Sequence, residues 1–284
     1  LVWEEGKWYA RGAGFVSVFD HGLLYGDGVF EGIRSYGGRV FRLEAHLDRL
    51  YGSAKAIWLE IPMAKDAMGR MVEEGVAKSG LKDTYIRLVV TRGVGDLGLD
   101  PRKCPKPTIF CIFDKIQLWP QDRYEKGLTA VTAATPIHHR EALSPRVKSL
   151  NYLSHILAKV EGIAAGVDEV IMLDAAGYVA EASGMNLFAV TNSTLRTPPP
   201  YAGILRGVTR DTVIELGREA GYTTEELPMN RYDLYTADEV FLTGTAAEVV
   251  AISKLDGRAI GCGASGPVTR DLATRFKAYV SRDD

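Results

Sequence analysis

The sequence has little cysteine and no excess of charge of one sign. Three cysteines occur among 284 residues, Cys104, Cys111 and Cys262, and no two of them form a CxxC pair. This count supports neither a disulfide framework nor a zinc knuckle, so we expect three reduced thiols. Lys and Arg number 34 against 36 Asp and Glu, and the net charge of −2 argues against a nucleic-acid-binding surface.

Long apolar runs and metal-binding motifs are also missing. No run approaches the roughly 20 apolar residues that a transmembrane helix needs. Residues 1–5 carry neither the basic nor the apolar segment of a signal peptide. His138 and His139 are adjacent, so their side chains diverge, and no HExxH motif is present. We therefore expect a cytoplasmic protein without a membrane segment and without a metal site.

The first third of the chain has clear local patterns. Residues 29–42 alternate around Gly37-Gly38, which predicts a β-hairpin with a primed turn. Apolar residues at steps of three and four predict a helix over 43–57. A second helix is predicted over 64–79 and ends at Gly80. Short strands are predicted at 7–10, 14–19, 85–91 and 107–113.

The rest of the chain mixes strands and helices. Strands are predicted at 128–135, 169–174, 186–190 and 239–243, and helices at 150–165, 208–220 and from 267. Hairpins rather than strict βαβ alternation favour an α+β fold with mixed sheets. A proline and mixed polarity near 118–126 suggest an interdomain loop. It would separate an N-terminal domain of residues 1–117 from a C-terminal domain of residues 127–284 that carries Lys148.

One motif suggests a dinucleotide site but lacks its context. Gly93-Val-Gly-Asp-Leu-Gly98 matches GxGxxG after a predicted strand. A dinucleotide site needs a helix to start there, so that its N-terminus faces the pyrophosphate. Asp100-Pro101 and two further prolines follow instead. A nicotinamide-dependent dehydrogenase is therefore a rival that rests on these glycines alone.

Several other features fit pyridoxal-phosphate chemistry, although each alone has an ordinary explanation. Lys148 precedes an apolar helix, with Tyr152 one turn further along the same side; a Schiff-base lysine needs a fixed approach. Glu181 lies beside a Ser-Gly turn and could face a pyridine nitrogen. Taken singly, a solvated lysine and a surface glutamate are the commoner interpretations.

Three further features could hold a phosphate. The stretch from Gly207 opens a helix with Val208 and Thr209, whose backbone N–H groups and helix dipole favour an anion. Thr245-Ala246 follows a strand and could expose backbone N–H groups. Arg49 on the first helix could fork around a phosphate. An ordinary helix cap and a surface arginine explain two of these features equally well.

These features fall within six sequence blocks, and the order and spacing of the blocks are more specific than any single feature. The blocks are Asp20-His-Gly-Leu-Leu-Tyr-Gly-Asp-Gly-Val-Phe-Glu-Gly-Ile-Arg34, His46-x-x-Arg49-Leu, Lys148-Ser-Leu-Asn-Tyr152, Glu181-x-Ser-Gly-x-Asn-Leu-Phe, Gly207-Val-Thr-Arg-Asp211 and Thr243-Gly-Thr-Ala-Ala-Glu248. Together they resemble the two-domain fold-type IV pyridoxal 5'-phosphate enzymes (the D-amino-acid-aminotransferase-like fold), and among these the branched-chain aminotransferases, over about residues 16–274.

The resemblance implies a role for each matched residue. Lys148 would carry pyridoxal 5'-phosphate (PLP) covalently, Glu181 would pair with the pyridine nitrogen, and Tyr152 would reach the phenolic oxygen. The phosphate would be held by Arg49, the backbone of Val208 and Thr209, and Thr245.

The same resemblance implies the substrates, amino acids and 2-oxo acids. The Thr245-Ala246 backbone would receive the α-carboxylate. Tyr25, Phe30 and Tyr85 would line the side-chain pocket, and Arg87 would meet the distal carboxylate of glutamate. The expected reaction is transamination of branched-chain L-amino acids with 2-oxoglutarate. The loop at 95–101 would reach towards a partner's site, which implies a homodimer or higher homo-oligomer.

Alternatives within the same fold stay open. A D-amino-acid or (R)-amine aminotransferase, or an aminodeoxychorismate-lyase-like enzyme, would share Lys148 and Glu181, but the block around Phe30 favours the branched-chain type. A PLP-binding protein without activity, or a structural dimer, is a further alternative. Arg206 stands where the family usually has Gly, Glu or Pro, and the 197–206 loop is short, which affects the expected substrate preference.

Overall fold

A computed structural model describes residues 1–282, which form two compact units. The first unit comprises Leu1–Ile116 together with Val147–Asn151, and the second comprises Gln117–Arg146 and the chain from Tyr152 onward. By its contacts, the segment with Lys148 therefore belongs to the first unit, whereas the sequence-based division placed it in the second domain. The domain boundaries at 117 and 127 stay a prediction.

The first unit is a six-stranded antiparallel sheet with two long helices. The strand order is β2-β1-β6-β5-β3-β4. The strands are β1 Val2–Glu4, β2 Lys7–Tyr9, β3 Gly28–Tyr36, β4 Arg39–Val40, β5 Tyr85–Thr91 and β6 Thr108–Asp114. The helices are α1 His21–Tyr25, α2 Leu43–Ala56 and α3 Lys65–Ser79.

Strand alternation separates the two faces of this sheet. Successive side chains of a strand point to opposite faces, and β3 pairs with β5 so that Phe30 lies opposite Val89 and Gly32 opposite Arg87. The other set of positions joins the core with α2 and α3: Val29, Ile33, Ile86, Leu88, Val90, Leu47, Leu50, Met68 and Val72. Residues on the Phe30 face are therefore turned away from that core.

The predicted hairpin and both early helices are confirmed. Gly37 and Gly38 have φ of 57° and 89° between β3 and β4, the positive values that a primed turn requires. Helix α3 ends at Gly80, whose φ of 68° makes it a left-handed C-cap. Local sequence signals were sufficient here because these features depend on neighbouring residues only.

The predicted strand at 14–19 is wrong. The end of this segment instead forms a turn, in which Asp20 N donates a hydrogen bond to Ser17 O. The turn leads into α1, a short helix that was not predicted. Asp20 is its N-cap and accepts a hydrogen bond from Gly22 N at 2.8 Å. Asp20 is fully buried and also accepts from Thr91 and Thr108, so a long-range network holds this helix start.

The second unit is built on a nine-stranded mixed sheet, in which β12-β11-β10-β13-β14-β7-β8-β9 are neighbours in that order and β15 pairs with β14. Its strands are β7 Leu128–Thr132, β8 Glu169–Leu173, β9 Val179–Ala182, β10 Asn186–Thr191, β11 Thr194–Thr197, β12 Thr223–Glu226, β13 Glu239–Gly244, β14 Glu248–Leu255 and β15 Arg258–Ala259. Its helices are α4 Gln121–Lys126, α5 Leu153–Ala164, α6 Val208–Glu219, α7 Arg231–Tyr235 and α8 Pro267–Val280.

Two boundaries in this half differ from the prediction. The segment predicted as a loop at 118–126 contains α4, and the helix predicted from residue 150 begins at Leu153. Residues 147–151 instead pair with β3 as an extended segment. A single-sequence pattern does not show this pairing, because the partner strand lies far away in the chain.

The α+β class with mixed sheets is confirmed. Within residues 1–282, no helix combines the length and apolarity needed to cross a bilayer. In the same range, no cluster of three or more His, Cys, Asp or Glu side chains is arranged to hold a metal ion. The glycine-rich loop at 93–98 leads into a short 3-10 turn, Pro101–Lys103, and not into an α-helix. A nicotinamide site of the Rossmann type is therefore excluded there.

Candidate active site

Lys148 lies on an extended segment at the edge of β3. Phe30 N donates to Lys148 O at 3.0 Å, and Leu150 N donates to Gly28 O at 2.9 Å. Lys148 N donates to Ser53 Oγ of α2 at 3.1 Å. The prediction that Lys148 and Tyr152 share one helical turn is wrong, because the backbone between them is not helical. These main-chain hydrogen bonds fix the backbone of Lys148 and therefore the direction in which its side chain projects.

The Lys148 amine lies over the ring of Phe30, with Nζ 4.5 Å from the ring centroid. The guanidinium carbon of Arg87 is 4.6 Å from the same centroid. Arg87 Nη2 donates to the hydroxyl of Tyr85 at 3.0 Å. Four predicted site residues therefore meet on one face of the first sheet, because the β3–β5 register and the edge pairing of Lys148 place them there.

A glycine makes room for this cluster. A Cβ atom on Gly32 would lie 2.5 Å from the hydroxyl oxygen of Tyr85. Any larger residue would push that hydroxyl away from Arg87. This contact explains why glycine follows Phe30-Glu31 in a strand, where glycine is otherwise unfavourable.

Arg49 does not join this cluster. It binds the carboxylate of Glu31 from α2, with Nε to Oε1 and Nη2 to Oε2 both at 2.7 Å. The assignment of Arg49 to the cofactor phosphate stays a prediction, and Glu31 is a structural partner that was not predicted. The sequence signal for it was the pair His46 and Arg49, three residues apart on one helix face.

Glu31 is fully buried and also binds His46 Nδ1 at 2.7 Å. Burial alone would raise the pKa of Glu31, but the charge of Arg49 and the hydrogen bonds from Arg49 and His46 outweigh burial and lower it to about 2. Burial lowers the pKa of His46, against the opposing effect of Glu31. His46 is therefore neutral near pH 7 and donates its Nδ1–H to the ionised carboxylate.

Tyr25 lies at the end of α1 and faces the glycine-rich loop. Its hydroxyl donates to Leu97 O at 2.6 Å. His21 Nε2 is 2.7 Å from Asp96 O. Hydrogen bonds thus hold the glycine-rich loop at 93–98 against α1. Tyr25 is partly exposed beside this loop.

In the second unit, the carboxylate of Glu181 is buried. The residue lies on β9 and is 6% exposed. Its Oε2 accepts from Asn186 Nδ2 at 3.1 Å and from Leu205 N at 3.0 Å. Asn186 also donates to Leu205 O at 2.8 Å. The carboxylate is therefore oriented by two fixed donors, a precondition for binding a ring nitrogen.

The N-terminus of α6 lies next to this network. Its N-cap, Gly207, provides no side-chain cap for the first N–H groups. A Cβ on Gly207 would lie 2.0 Å from Asn186 Oδ1, so only glycine fits beside Asn186. Val208 and Thr209 open the helix, and their backbone N–H groups are available to an anion. Arg206 bonds to Asp211 at 2.8 Å and is largely exposed.

Thr245 and Ala246 occupy the turn between β13 and β14. Asn186 lies opposite Thr243 in the β10–β13 register, so the turn begins at the same end of the sheet as the Glu181 network. The buried hydroxyl Oγ1 of Thr243 has no hydrogen-bond partner. This hydroxyl lies on β13, two residues before the turn that the sequence predicted to bind an anion.

Tyr152 is the N-cap residue of α5 and stacks on His155, with ring centroids 4.7 Å apart and planes inclined by 23°. His155 had no predicted role. The structure thus gathers Lys148, Phe30, Tyr85 and Arg87 in the first unit. Glu181, Asn186 and the start of α6 meet in the second.

Comparison with known proteins identifies the family. Residues 28–255 match the model of the family described as amino-transferase class IV. A Methanocaldococcus jannaschii protein, whose name assigns it provisionally to the branched-chain-amino-acid aminotransferases, is 52% identical over 276 residues. The match covers 97% of this chain and 95% of that protein.

Solved structures agree. A T.th. branched-chain amino acid aminotransferase complexed with N-(5'-phosphopyridoxyl)-L-glutamate has a TM-score of 0.92 at 36% identity, covering 99% of this chain and 93% of that one. The same enzyme complexed with 4-methylvaleric acid has a TM-score of 0.93 at 35% identity, covering 100% and 94%. The chain therefore belongs to the class IV aminotransferases, the family of fold-type IV enzymes that its sequence blocks predicted.

Proposed function

We propose that this protein is a PLP-dependent aminotransferase that transfers the amino group of branched-chain L-amino acids to 2-oxoglutarate, giving 2-oxo acids and glutamate. The observation that carries the proposal is the cluster of Lys148, Phe30 and Arg87 on one sheet face. It combines an amine that can bind an aldehyde cofactor, an aromatic surface that suits an apolar side chain and a guanidinium that suits a carboxylate. The names of the relatives support the same substrates.

The side chains fit PLP as a cofactor. Glu181 is a buried, oriented carboxylate suited to a protonated pyridine nitrogen. The uncapped start of α6 at Val208 and Thr209 suits a phosphate, and Thr245 offers a further hydroxyl. Bound PLP supplies the electron sink that stabilises negative charge at the substrate Cα.

The residues of this chain supply binding and proton transfer. Lys148 Nζ would anchor the cofactor and, as a free amine, would take up the proton from the substrate Cα. Glu181 would maintain the proton on the pyridine nitrogen, and Tyr152 would donate a hydrogen bond to the phenolic oxygen. The turn at Thr245-Ala246 receives the substrate α-carboxylate through its backbone N–H groups.

One pocket must accept both an apolar branched side chain and the carboxylate of glutamate. Phe30 and Tyr85 offer apolar ring surface, with Tyr25 as a further predicted wall. Arg87 is held against Phe30 and by the Tyr85 hydroxyl. When glutamate binds, its distal carboxylate pairs with Arg87; when leucine binds, the guanidinium keeps its aromatic partners. A neighbour's complexes with a glutamate adduct and with 4-methylvaleric acid support this double use.

A spectroscopic half-reaction tests the proposal. The purified protein, freed of excess PLP, is expected to be yellow, and L-leucine alone is expected to bleach the visible band as PLP is converted to pyridoxamine phosphate. Adding 2-oxoglutarate should restore the colour. Bleaching by D-alanine or (R)-1-phenylethylamine, but not by L-leucine, would instead indicate the D-amino-acid or amine aminotransferase alternative. A colourless protein that takes up no PLP would contradict the proposal.

We propose further that the active form contains at least two copies of the chain. Helix α5 exposes five apolar side chains at spacings of three, four, seven and ten residues, which defines one continuous face: Leu153, Ile156, Leu157, Val160 and Ile163. Such a face on a single copy marks an interaction surface. We expect a second copy of the chain to cover this face with its own α5, because a twofold-symmetric dimer brings the same apolar surface of both copies together.

Sedimentation velocity tests this assembly. The wild-type protein is expected to sediment with the mass of two or more chains. The Leu157→Asp/Val160→Asp double variant is expected to shift towards the monomer, because two carboxylates would be buried in an apolar contact. The Leu227→Asp variant, at an exposed leucine outside α5, serves as the control. A double variant that retains the wild-type mass would contradict the assignment of this face.

A further inference from the structure

The residue next to Tyr152 in space is His155, one helical turn along α5. The two rings stack with centroids 4.7 Å apart and an inclination of 23°. His155 is 8% exposed, so its ring is enclosed by protein on most sides. A second histidine, His138, lies nearby, but its ring is tilted and 6.0 Å from that of His155. The stack on Tyr152 is therefore closer and more nearly parallel than the contact with His138.

The ring of His155 is held in place from its other side. Its Nδ1 donates to the backbone oxygen of Ser183 at 3.0 Å. Ser183 follows β9 two residues after Glu181 and is itself anchored, because its Oγ donates to Glu169 Oε1 at 2.6 Å. Glu169 is buried and binds Lys159 of α5 at 3.0 Å. Rotation of the His155 ring would therefore break its hydrogen bond to Ser183, a residue whose own position is fixed by Glu169.

We propose that His155 is a positioning residue that holds the ring of Tyr152 in the orientation required to hydrogen-bond the phenolic oxygen of PLP. This inference rests on the proposed function. A tyrosine has two rotatable side-chain bonds. Its hydroxyl oxygen lies on the axis of the second bond, so rotation about the first bond, Cα–Cβ, is what moves the hydroxyl by several ångströms. The imidazole ring of His155, stacked against the tyrosine ring, restricts this rotation before the cofactor binds. Through its hydrogen bond to Ser183, His155 also connects the Tyr152 ring to the end of β9, the strand that carries Glu181.

Three substitutions of His155 separate the effect of its ring stack on Tyr152 from that of its hydrogen bond to Ser183. His155→Phe keeps an aromatic ring against Tyr152 and loses the hydrogen bond to Ser183. His155→Asn keeps a donor near the Nδ1 position and loses the stack, while His155→Ala loses both. We expect His155→Ala and His155→Asn to lower kcat with L-leucine by roughly tenfold to a hundredfold, the range for groups that orient reacting side chains. His155→Phe is expected to retain most of the wild-type kcat.

A double-mutant cycle with Tyr152→Phe gives the decisive readouts, which are kcat, the dissociation constant for PLP and the position of the visible absorption band. Without the tyrosine hydroxyl, the orientation of the ring no longer matters. The effect of His155→Ala on all three quantities is therefore expected to shrink to about twofold or less in that background. His139→Ala, at an exposed histidine in the preceding loop, is the control and should match the wild type.

Two results would overturn the inference. One is an effect of His155→Ala that is equal with and without the Tyr152 hydroxyl, because a merely structural role predicts additivity. The other is a His155→Phe variant as impaired as His155→Ala although both remain folded in thermal unfolding. In either case a wild type that binds PLP and reacts with L-leucine would leave the proposed function intact. A wild type that does neither would overturn both.

Discussion

Replacing Lys148 with alanine is expected to reduce the rate of transamination by at least about a thousandfold, because one side chain both anchors the cofactor and transfers the proton at Cα. The measurement is glutamate formation from L-leucine and 2-oxoglutarate at saturating PLP. The visible band of the lysine-bound cofactor should also be lost, since no other amine is predicted to take its place.

The structure makes this variant informative. The hydrogen bonds that hold the Lys148 segment run from its main-chain N and O to Ser53 and Phe30, and they do not depend on the side chain. The fold should therefore survive, and an unchanged far-UV circular dichroism spectrum would confirm it. Lys254→Ala, at an exposed lysine on β14, is the matched control and should keep wild-type activity. A Lys148→Ala variant within about tenfold of the wild-type rate would refute the catalytic assignment.

Replacing Glu31 with alanine is expected to reduce the free energy of unfolding by about 3–5 kcal/mol, the cost of removing one partner from a buried ion pair. Glu31 is fully buried, while the side chain of Arg49 is 14% exposed. Without the carboxylate, the Arg49 guanidinium and His46 Nδ1–H lose this buried acceptor. Urea unfolding at fixed protein and PLP concentrations measures the loss.

An exposed ion pair provides the matched control. Glu74 and Lys78 form an i,i+4 pair on α3 at 3.5 Å, with side chains about half exposed. Removing that carboxylate with Glu74→Ala is expected to cost about 1 kcal/mol or less. If Glu31→Ala cost no more than Glu74→Ala, the buried pair would not be a major contributor to stability.

The same pair predicts a pH dependence. The pKa of Glu31 is about 2 in the folded chain against an ordinary 4.5. Its contribution to stability is therefore complete above pH 4.5 and is lost as the pH falls towards 2. The depressed pKa of His46 acts in the same direction from pH 6.5 downward, because only the unfolded chain readily takes up that proton.

Comparing the wild type with Glu31→Gln isolates the carboxyl. The difference in unfolding free energy between the two proteins should be largest near pH 7. It should narrow as the wild-type carboxyl becomes protonated between about pH 4.5 and about pH 2. A difference that is constant across this range would show that the glutamate is not held ionised by Arg49 and His46.

The sequence by itself determined the features that depend on neighbouring residues and on the order of motifs. The Gly37-Gly38 hairpin, the α2 and α3 helices and the Gly80 cap all follow from local periodicity and backbone preference. The six ordered blocks were sufficient to identify the family, and they named Lys148 and Glu181 as the residues of interest. None of these conclusions required knowing which strand lies beside which.

Only the tertiary structure decided which side chains meet. The predicted strand at 14–19 is wrong because its backbone partners are a turn at residues 17–20, side chains and a distant loop, and not a neighbouring strand. The Lys148 segment is an edge partner of β3 and not the start of a helix. The Glu31–Arg49 pair, the fit of Gly207 beside Asn186 and the His155 stack on Tyr152 depend on how strands and helices pack. Alternation along a strand tells which residues share a face, but the register between distant segments is set by long-range pairing, and a local pattern does not contain it.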